Sequence, residues 1–178
     1  MGGRLGKFSY TVFGSHLQQE GWRDHSAMQN TNSQVKLNFQ TSDRSDLMLV
    51  FREFYSPLSK DAGALTAAEV QANPRQASAR NIQFNAGEEI RQEEMGARFR
   101  IKPTAGKEIS LAAHWSHRDF QSRQPFMDGG QVQFDRWVGG LALQFTSDGL
   151  LFQRPNRFLA GIDYGMQNDD RQRFNNNF

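Results

Sequence analysis

The stretch Met95-Gly-Ala-Arg-Phe-Arg-Ile-Lys102 decides the fold class. Successive side chains of an extended strand point to opposite faces. Met95, Ala97, Phe99 and Ile101 therefore share one face, while Gly96, Arg98, Arg100 and Lys102 share the other. One face suits lipid and the other suits a wet lumen.

The same period of two runs outward in both directions. Downstream, Pro103-Thr-Ala-Gly106 reads as a short turn, and Ile109, Leu111, Ala113 and Trp115 then alternate with Ser110, Ala112, His114 and Ser116. A longer connection from Gln121 to Gln131 contains Pro125 and Gly129-Gly130. It precedes a strand that sets Trp137, Gly139, Leu141, Leu143 and Phe145 on one face. A last strand, about residues 157 to 167, offers Phe158, Ala160, Ile162 and Tyr164. Upstream, Leu47 to Tyr55 forms a strand whose first half, Leu-Met-Leu-Val-Phe, is apolar on both faces, so its inner face must cover something dry. Before the tight turn Thr41 to Asp46, Val35, Leu37 and Phe39 alternate with Gln34, Lys36, Asn38 and Gln40. The first strand, about residues 6 to 18, carries Phe8, Tyr10 and Val12 opposite Ser9, Thr11 and Ser15.

Between two of these strands lies a connection of a different kind. Residues 63 to 85, with Gly63-Ala-Leu-Thr66, Asn73-Pro-Arg-Gln-Ala77 and Asn81 to Asn85, read as one long structureless loop among terse turns. Such a loop is unusual inside a compact soluble domain but ordinary on the outer rim of a transmembrane barrel. Short and longer connections alternate along the chain, and strands of about ten residues or more match a tilted crossing of a bilayer. The expected fold is all-β: an antiparallel up-and-down transmembrane β-barrel segment of about seven strands, not a complete closed barrel. Residues 1–178 form part of one such domain.

Composition agrees with strands that show only one face to lipid. The mean hydropathy is -0.71, with 37% hydrophobic and 12% aromatic residues, Phe far commoner than Tyr or Trp. Cysteine is absent, which excludes disulfide scaffolds, thiolate metal sites and cysteine nucleophiles. No stretch approaches the roughly 18 consecutive apolar residues of a transmembrane helix. The opening Met1-Gly-Gly-Arg-Leu-Gly-Lys7 shows no charged segment followed by an apolar run, so no secretory signal is expected here. The formal charge of +2 comes from interspersed Lys/Arg and Asp/Glu, without the like-charge block of a nucleic-acid surface.

Taken with the strands, Tyr55-Ser-Pro57, Gly63-Ala-Leu-Thr66, Asn73-Pro-Arg-Gln-Ala77 and Gly129-Gly-Gln-Val-Gln-Phe-Asp-Arg136 resemble the barrel of TonB-dependent outer-membrane receptors, most of all the branch that takes iron complexes of the siderophore or ferric citrate type. Gly21-Trp-Arg-Asp-His25 and Arg154-Pro-Asn-Arg157 are similar to that branch too. The resemblance implies a bacterial outer-membrane location and energised import of a ferric siderophore or ferric citrate-like ligand. It also implies a barrel plugged by an N-terminal domain and a TonB energy-transducing complex that grips a peptide near that domain. Against the 22-stranded plugged barrel of such transporters, the chain is expected to be the early barrel region. It would be cut from a longer protein or encoded as a truncated reading frame, without plug or signal, and would transport nothing alone.

On the implied topology Arg98, Arg100 and Lys102 point inward near the periplasmic end and contact plug carboxylates. Arg52, Arg91, Arg118 and Arg136 lie nearer the outer strand ends, where a guanidinium can bind the carboxylates of a ferric carrier. Trp22, Tyr55, Phe120 and Phe126 are expected in the outer aromatic girdle. No enzyme is expected. His114 and His117, three apart, fall on opposite faces and cannot share a metal. His16 and His25 read as ordinary rim histidines. Glu88-Glu89 and Glu93-Glu94 read as solvated loop and lumen charges rather than an acid and base held across a pocket. Asp169-Asp170-Arg171 with Arg173 reads as a solvated outer loop. No cofactor or metal site emerges. Two rivals remain: a complete eight-stranded outer-membrane barrel, which the polar tail Phe174 to Phe178 serves poorly as a closing strand, and a soluble lipocalin-sized barrel.

Overall fold

The computed structural model describes residues 1–177. Eight strands follow one another in a single antiparallel sheet whose spatial order is the chain order. They are β1 (Gly2–Leu5), β2 (Phe8–Gln19), β3 (Met28–Ser42), β4 (Ser45–Lys60), β5 (Gly87–Ile101), β6 (Lys107–Arg123), β7 (Gln131–Leu151) and β8 (Arg154–Phe174). This is the expected open, antiparallel up-and-down segment of about seven strands, with an eighth, β1, whose Gly2-Gly-Arg-Leu5 has too little apolar alternation to announce a strand. It forms because Gly6, at φ +57, closes a two-residue turn onto β2. β1 and β8 are not neighbours, so the sheet is open. Both rival barrels require that closing pair.

Cross-strand register turns alternation within each strand into faces of the whole sheet. Phe8, Phe39, Leu47, Phe99, Leu111, Leu143 and Ile162 occupy one hydrogen-bonded row, each directly opposite the next. The row two residues along contains Tyr10, Leu37, Leu49, Ala97, Ala113, Leu141 and Tyr164. Val12, Val35, Phe51, Met95, Trp115, Gly139 and Met166 make a third. These rows form an uninterrupted apolar band across β2 to β8. The opposite face carries the intervening residues, for example Lys36, Arg98, His114 and Asp163. The first row meets β2 at its first residue, Phe8, yet β7 continues from Leu143 to Leu151. The strand ends therefore step along the rows, the inclination that a barrel wall requires.

Turns at one end are short: Gly6–Lys7, Asp43–Arg44, 102–106 and Phe152–Gln153. At the other end, residues 20–27, 61–86 and 124–130 connect the strands. The long connection is not structureless. It holds two short helices, α1 (Ala67–Ala72) and α2 (Ala79–Gln83). Thr66 caps α1: its hydroxyl accepts from the Glu69 N–H at 3.3 Å, while the Glu69 carboxylate accepts from the Thr66 N–H at 2.7 Å. A period-of-two scan passes over such single-turn helices, since their stability comes from caps and tertiary partners rather than a long amphipathic repeat.

The described residues that are buried cluster at this end: Ala62, Ala77, Phe84, Ala86 and Val132, with the polar Ser56, Asn81, Ser122 and Asn176. The wall itself has no dry core, because neither face is covered by another layer of the chain. Two further expectations are corrected here. Asp169, Asp170, Arg171 and Arg173 belong to β8, not to a loop. β7 and β8 are both longer than their apolar patterns indicate and run to the two-residue turn Phe152–Gln153. Phe178 lies outside the described residues.

Candidate functional site

Toward the connection end, the polar face carries Arg52 on β4, Arg118 on β6 and Arg136 on β7. Register sets their neighbours: Arg52 stands between Gln34 and Glu94, and the next row runs Phe54, Gln92, Arg118, Arg136 and Asp169. Arg52 Nε donates to Gln34 Oε1 at 2.9 Å, and its guanidinium lies 3.7 Å from the Glu94 carboxylate. Gln92 donates to Glu94 at 2.5 Å and accepts from Arg118 Nε at 2.6 Å. Glu94 and Gln92 thus link Arg52 to Arg118 across β4, β5 and β6.

Arg118 and Arg136 are directly opposite each other, an arrangement that costs free energy unless a counter-charge is near. Asp169 supplies it with a two-pronged bond, Arg136 Nε to Oδ1 at 2.8 Å and Nη2 to Oδ2 at 2.5 Å. The Arg136 guanidinium also lies 4.9 Å from the Phe134 ring, which stacks on Phe120. Below this band a cleft of about 370 Å³ is lined by Val50, Arg52, Glu94, Gly96, His114 and Ser116. The His114 ring lies over Gly140, where a Cβ would collide with it.

Arg91 does not join this group. It sits on the face that carries the apolar band, beyond Met95, and pairs with Glu93 at 2.9 Å and Glu53 at 3.4 Å. His117 shares that face, stacked on Trp137 and hydrogen-bonded to Asp135 at 2.8 Å, while His114 is on the other, as a spacing of three requires. Tyr55 also lies on the banded face, Phe120 lies on the polar face, and Trp22 and Phe126 belong to connections. Trp115, in the third row of the band, and Trp137, in the row beyond it, have ring centroids 5.1 Å apart.

Near the short turns, Arg98, Arg100 and Lys102 share the polar face. Arg100 donates from Nε to Asp46 at 2.9 Å, and Lys102 lies 4.0 Å from Glu108. The buried Nε of Arg98 has no hydrogen-bond partner. Together with Arg4, Lys7 and Arg44 they line a cleft of about 350 Å³ in which Asp43 and Asp46 are the carboxylates. The cleft is cationic and open to anions.

Above the strands, the connections form one body. Arg23, on the 20–27 connection, donates to the carbonyls of Ala62 (3.1 Å), Gly63 (2.6 Å) and Gln76 (2.9 and 3.0 Å). Asp24 N–H donates to the Arg75 carbonyl at 2.7 Å, and Arg75 Nε returns a bond to the Trp22 carbonyl at 3.1 Å. Buried Asn176, beyond β8, donates to the carbonyls of Phe84 (2.9 Å) and Gln124 (3.0 Å). Among the described residues no group of three or more His, Cys, Asp or Glu is placed to hold a metal, and no helix is long and apolar enough to cross a membrane.

The wall, its inclined strands and its one-sided loops can be set against solved structures. The ferric citrate transporter FecA, in its unliganded form, superposes with a TM-score of 0.79 over 97% of this chain, at 14% sequence identity. The two share a fold. The chain spans 25% of the length of FecA. No family model matches the chain.

Sequence reasoning named the three arginines as candidate ligand groups, but placed Gln34 only on the polar face, read Glu94 as a solvated loop or lumen charge and Asp169 as a loop charge, passed over Gln92, and paired none of the four with an arginine. Gln92 and Glu94 were open to discovery by their even spacing on one strand. Asp169 was not, because its partnership depends on the β7–β8 register.

Proposed function

We propose that this chain is part of the wall of a bacterial outer-membrane transporter that imports a ferric citrate-like or ferric siderophore complex, performs no covalent chemistry, and is energised through a TonB complex acting on another part of the protein. The observation that carries the reading is the apolar band: three consecutive rows on one face, unbroken across β2 to β8, backed by a polar face. A soluble protein has no reason to expose such a band, whereas a lipid-facing wall requires it. The FecA fold supports the transporter class.

In this reading Arg52, Arg118 and Arg136 face the barrel interior and offer guanidinium groups to the carboxylates of the carrier, while Arg91 stays on the outer face with Glu53 and Glu93. The cationic cleft around Arg98, Arg100 and Lys102 meets carboxylates of the plug. Binding of ferric citrate to the complete protein tests the proposal. Arg118→Ala should weaken binding roughly tenfold, as loss of one charge-assisted hydrogen bond requires, and Arg91→Ala should leave it unchanged. Equal binding by wild type and the Arg52/Arg118/Arg136 triple alanine variant would remove these residues from the site.

A further inference from the structure

The β7–β8 turn breaks the chemistry of turns. Leu151 and Arg154 are paired, so Phe152 and Gln153 are the two central residues of a two-residue hairpin loop, with φ of +51 and +63. Loops of this geometry call for Asn or Gly, since a bulky side chain at positive φ is strained. The β1–β2 turn follows the rule with Gly6. Here a phenylalanine occupies the strained position, and its side chain is 90% exposed, flanked by exposed Leu150 and Leu151. Backbone strain of this kind, with no packing inside the chain to account for it, points to an external role.

The hairpin's position says what meets it. β6 begins at Lys107, opposite Ser147, so beyond Asp148 the β7–β8 ribbon extends past its neighbour. On the banded face the apolar residues Phe145, Ala160 and Phe158 are followed, past Gly149 and Asn156, by Leu151 and Arg154. The apolar surface of the band therefore continues, after one polar row, into the turn. Leu151 and Arg154 share the banded face and the exposed Phe152 stands in the turn between them, a combination suited to a bilayer interface, where an aromatic ring sits at headgroup depth and a guanidinium reaches phosphate.

We infer that Leu151, Phe152 and Arg154 anchor the wall in the headgroup layer of the phospholipid leaflet at the short-turn end. The inference rests on the membrane-wall reading above and adds a named lipid contact to it. This chain has no cysteine, so once any cysteine elsewhere in the complete protein is replaced, a single introduced one can carry a nitroxide whose collisions with oxygen and a water-soluble nickel chelate report depth. The complete protein would be reconstituted in phosphatidylethanolamine/phosphatidylglycerol vesicles with labels at Gln153→Cys, Leu141→Cys in the band and Asp128→Cys in the outer connection. The Gln153 label is expected between the other two, shielded from nickel relative to Asp128. Adding Phe152→Asn, which suits the turn, should move it into water. A Gln153 label as accessible as Asp128, or unmoved by Phe152→Asn, would overturn the anchor. Shielding in native outer membranes but not in vesicles would assign the turn to a protein partner and overturn it equally. A Leu141 label in water would sink the membrane reading itself.

Discussion

Arg23 illustrates how much one side chain does in the outer cap. Its guanidinium satisfies three carbonyls of the 61–86 connection that no strand ladder reaches. Arg23→Ala should raise amide exchange in 61–86 by tenfold or more while leaving β4 and β5 protected, because charge-assisted bonds contribute about 1.5–3 kcal/mol. Uniform exchange across the chain would contradict it. Asp169 has a comparable role on the wall. Asp169→Asn leaves Arg118 and Arg136 facing each other without a carboxylate, and a loss of stability is expected from the like-charge pair. Arg118→Gln in the same background should restore most of it, as a double-mutant cycle would read. Glu69 gives a pH signature. Its pKa is held below the ordinary carboxylate value, chiefly by the Thr66 backbone N–H and then by the Thr66 hydroxyl. A depressed acid contributes stability that is complete above the unfolded value and lost as pH falls through the folded one. The α1 cap should thus loosen only in acid, and Glu69→Gln should abolish that dependence in exchange rates over 66–73.

At the level of elements, adjacent residues of one strand should behave as opposites. Leu143 lies on the apolar band and Gln144 on the polar face. Leu143→Arg in the complete protein should destabilise folding into vesicles by about 2–4 kcal/mol near the bilayer midplane, and Gln144→Arg should cost little. Denaturant titration in vesicles of matched composition would measure both, and similar penalties would mean that lipid does not distinguish the faces. Strand existence was plain from the sequence because a period of two survives without any knowledge of neighbours. Strand ends were not. β8 includes Asp169, Asp170 and Arg171, whose polarity reads as loop but whose backbone is held by the equally extended β7. α1 and α2 escaped notice because they are only six and five residues long, α1 held by its Thr66 cap and α2 by contacts such as Asn81 Nδ2 to Asp61 at 3.0 Å in place of a periodic face.

For the molecule as a whole, the missing feature is a core in the wall. Buried side chains are found at the outer cap, and every residue of β8 is exposed. A sheet with two uncovered faces and two open edges depends on what surrounds it, since unpaired edge groups in hydrocarbon each cost several kcal/mol. The 178-residue chain by itself should therefore aggregate on removal of denaturant and show no heat-dependent shift in gel mobility. A compact, heat-shifting band would indicate closure that the open sheet does not provide. The cap packs as one folded body, so it should resist proteolysis better than a flexible 26-residue loop.

What the sequence by itself determined is the alternation: extended strands, one apolar face, short turns at one end and long connections at the other. Those follow from side-chain period and turn chemistry, which are local. The tertiary structure alone decided the register, and register decides which charges meet. It set Arg118 against Arg136, gave Arg136 to Asp169, and folded a long loop into a helical cap held by Arg23. Each of these joins residues far apart in the chain, and a period of two says which face a residue takes without saying who stands beside it.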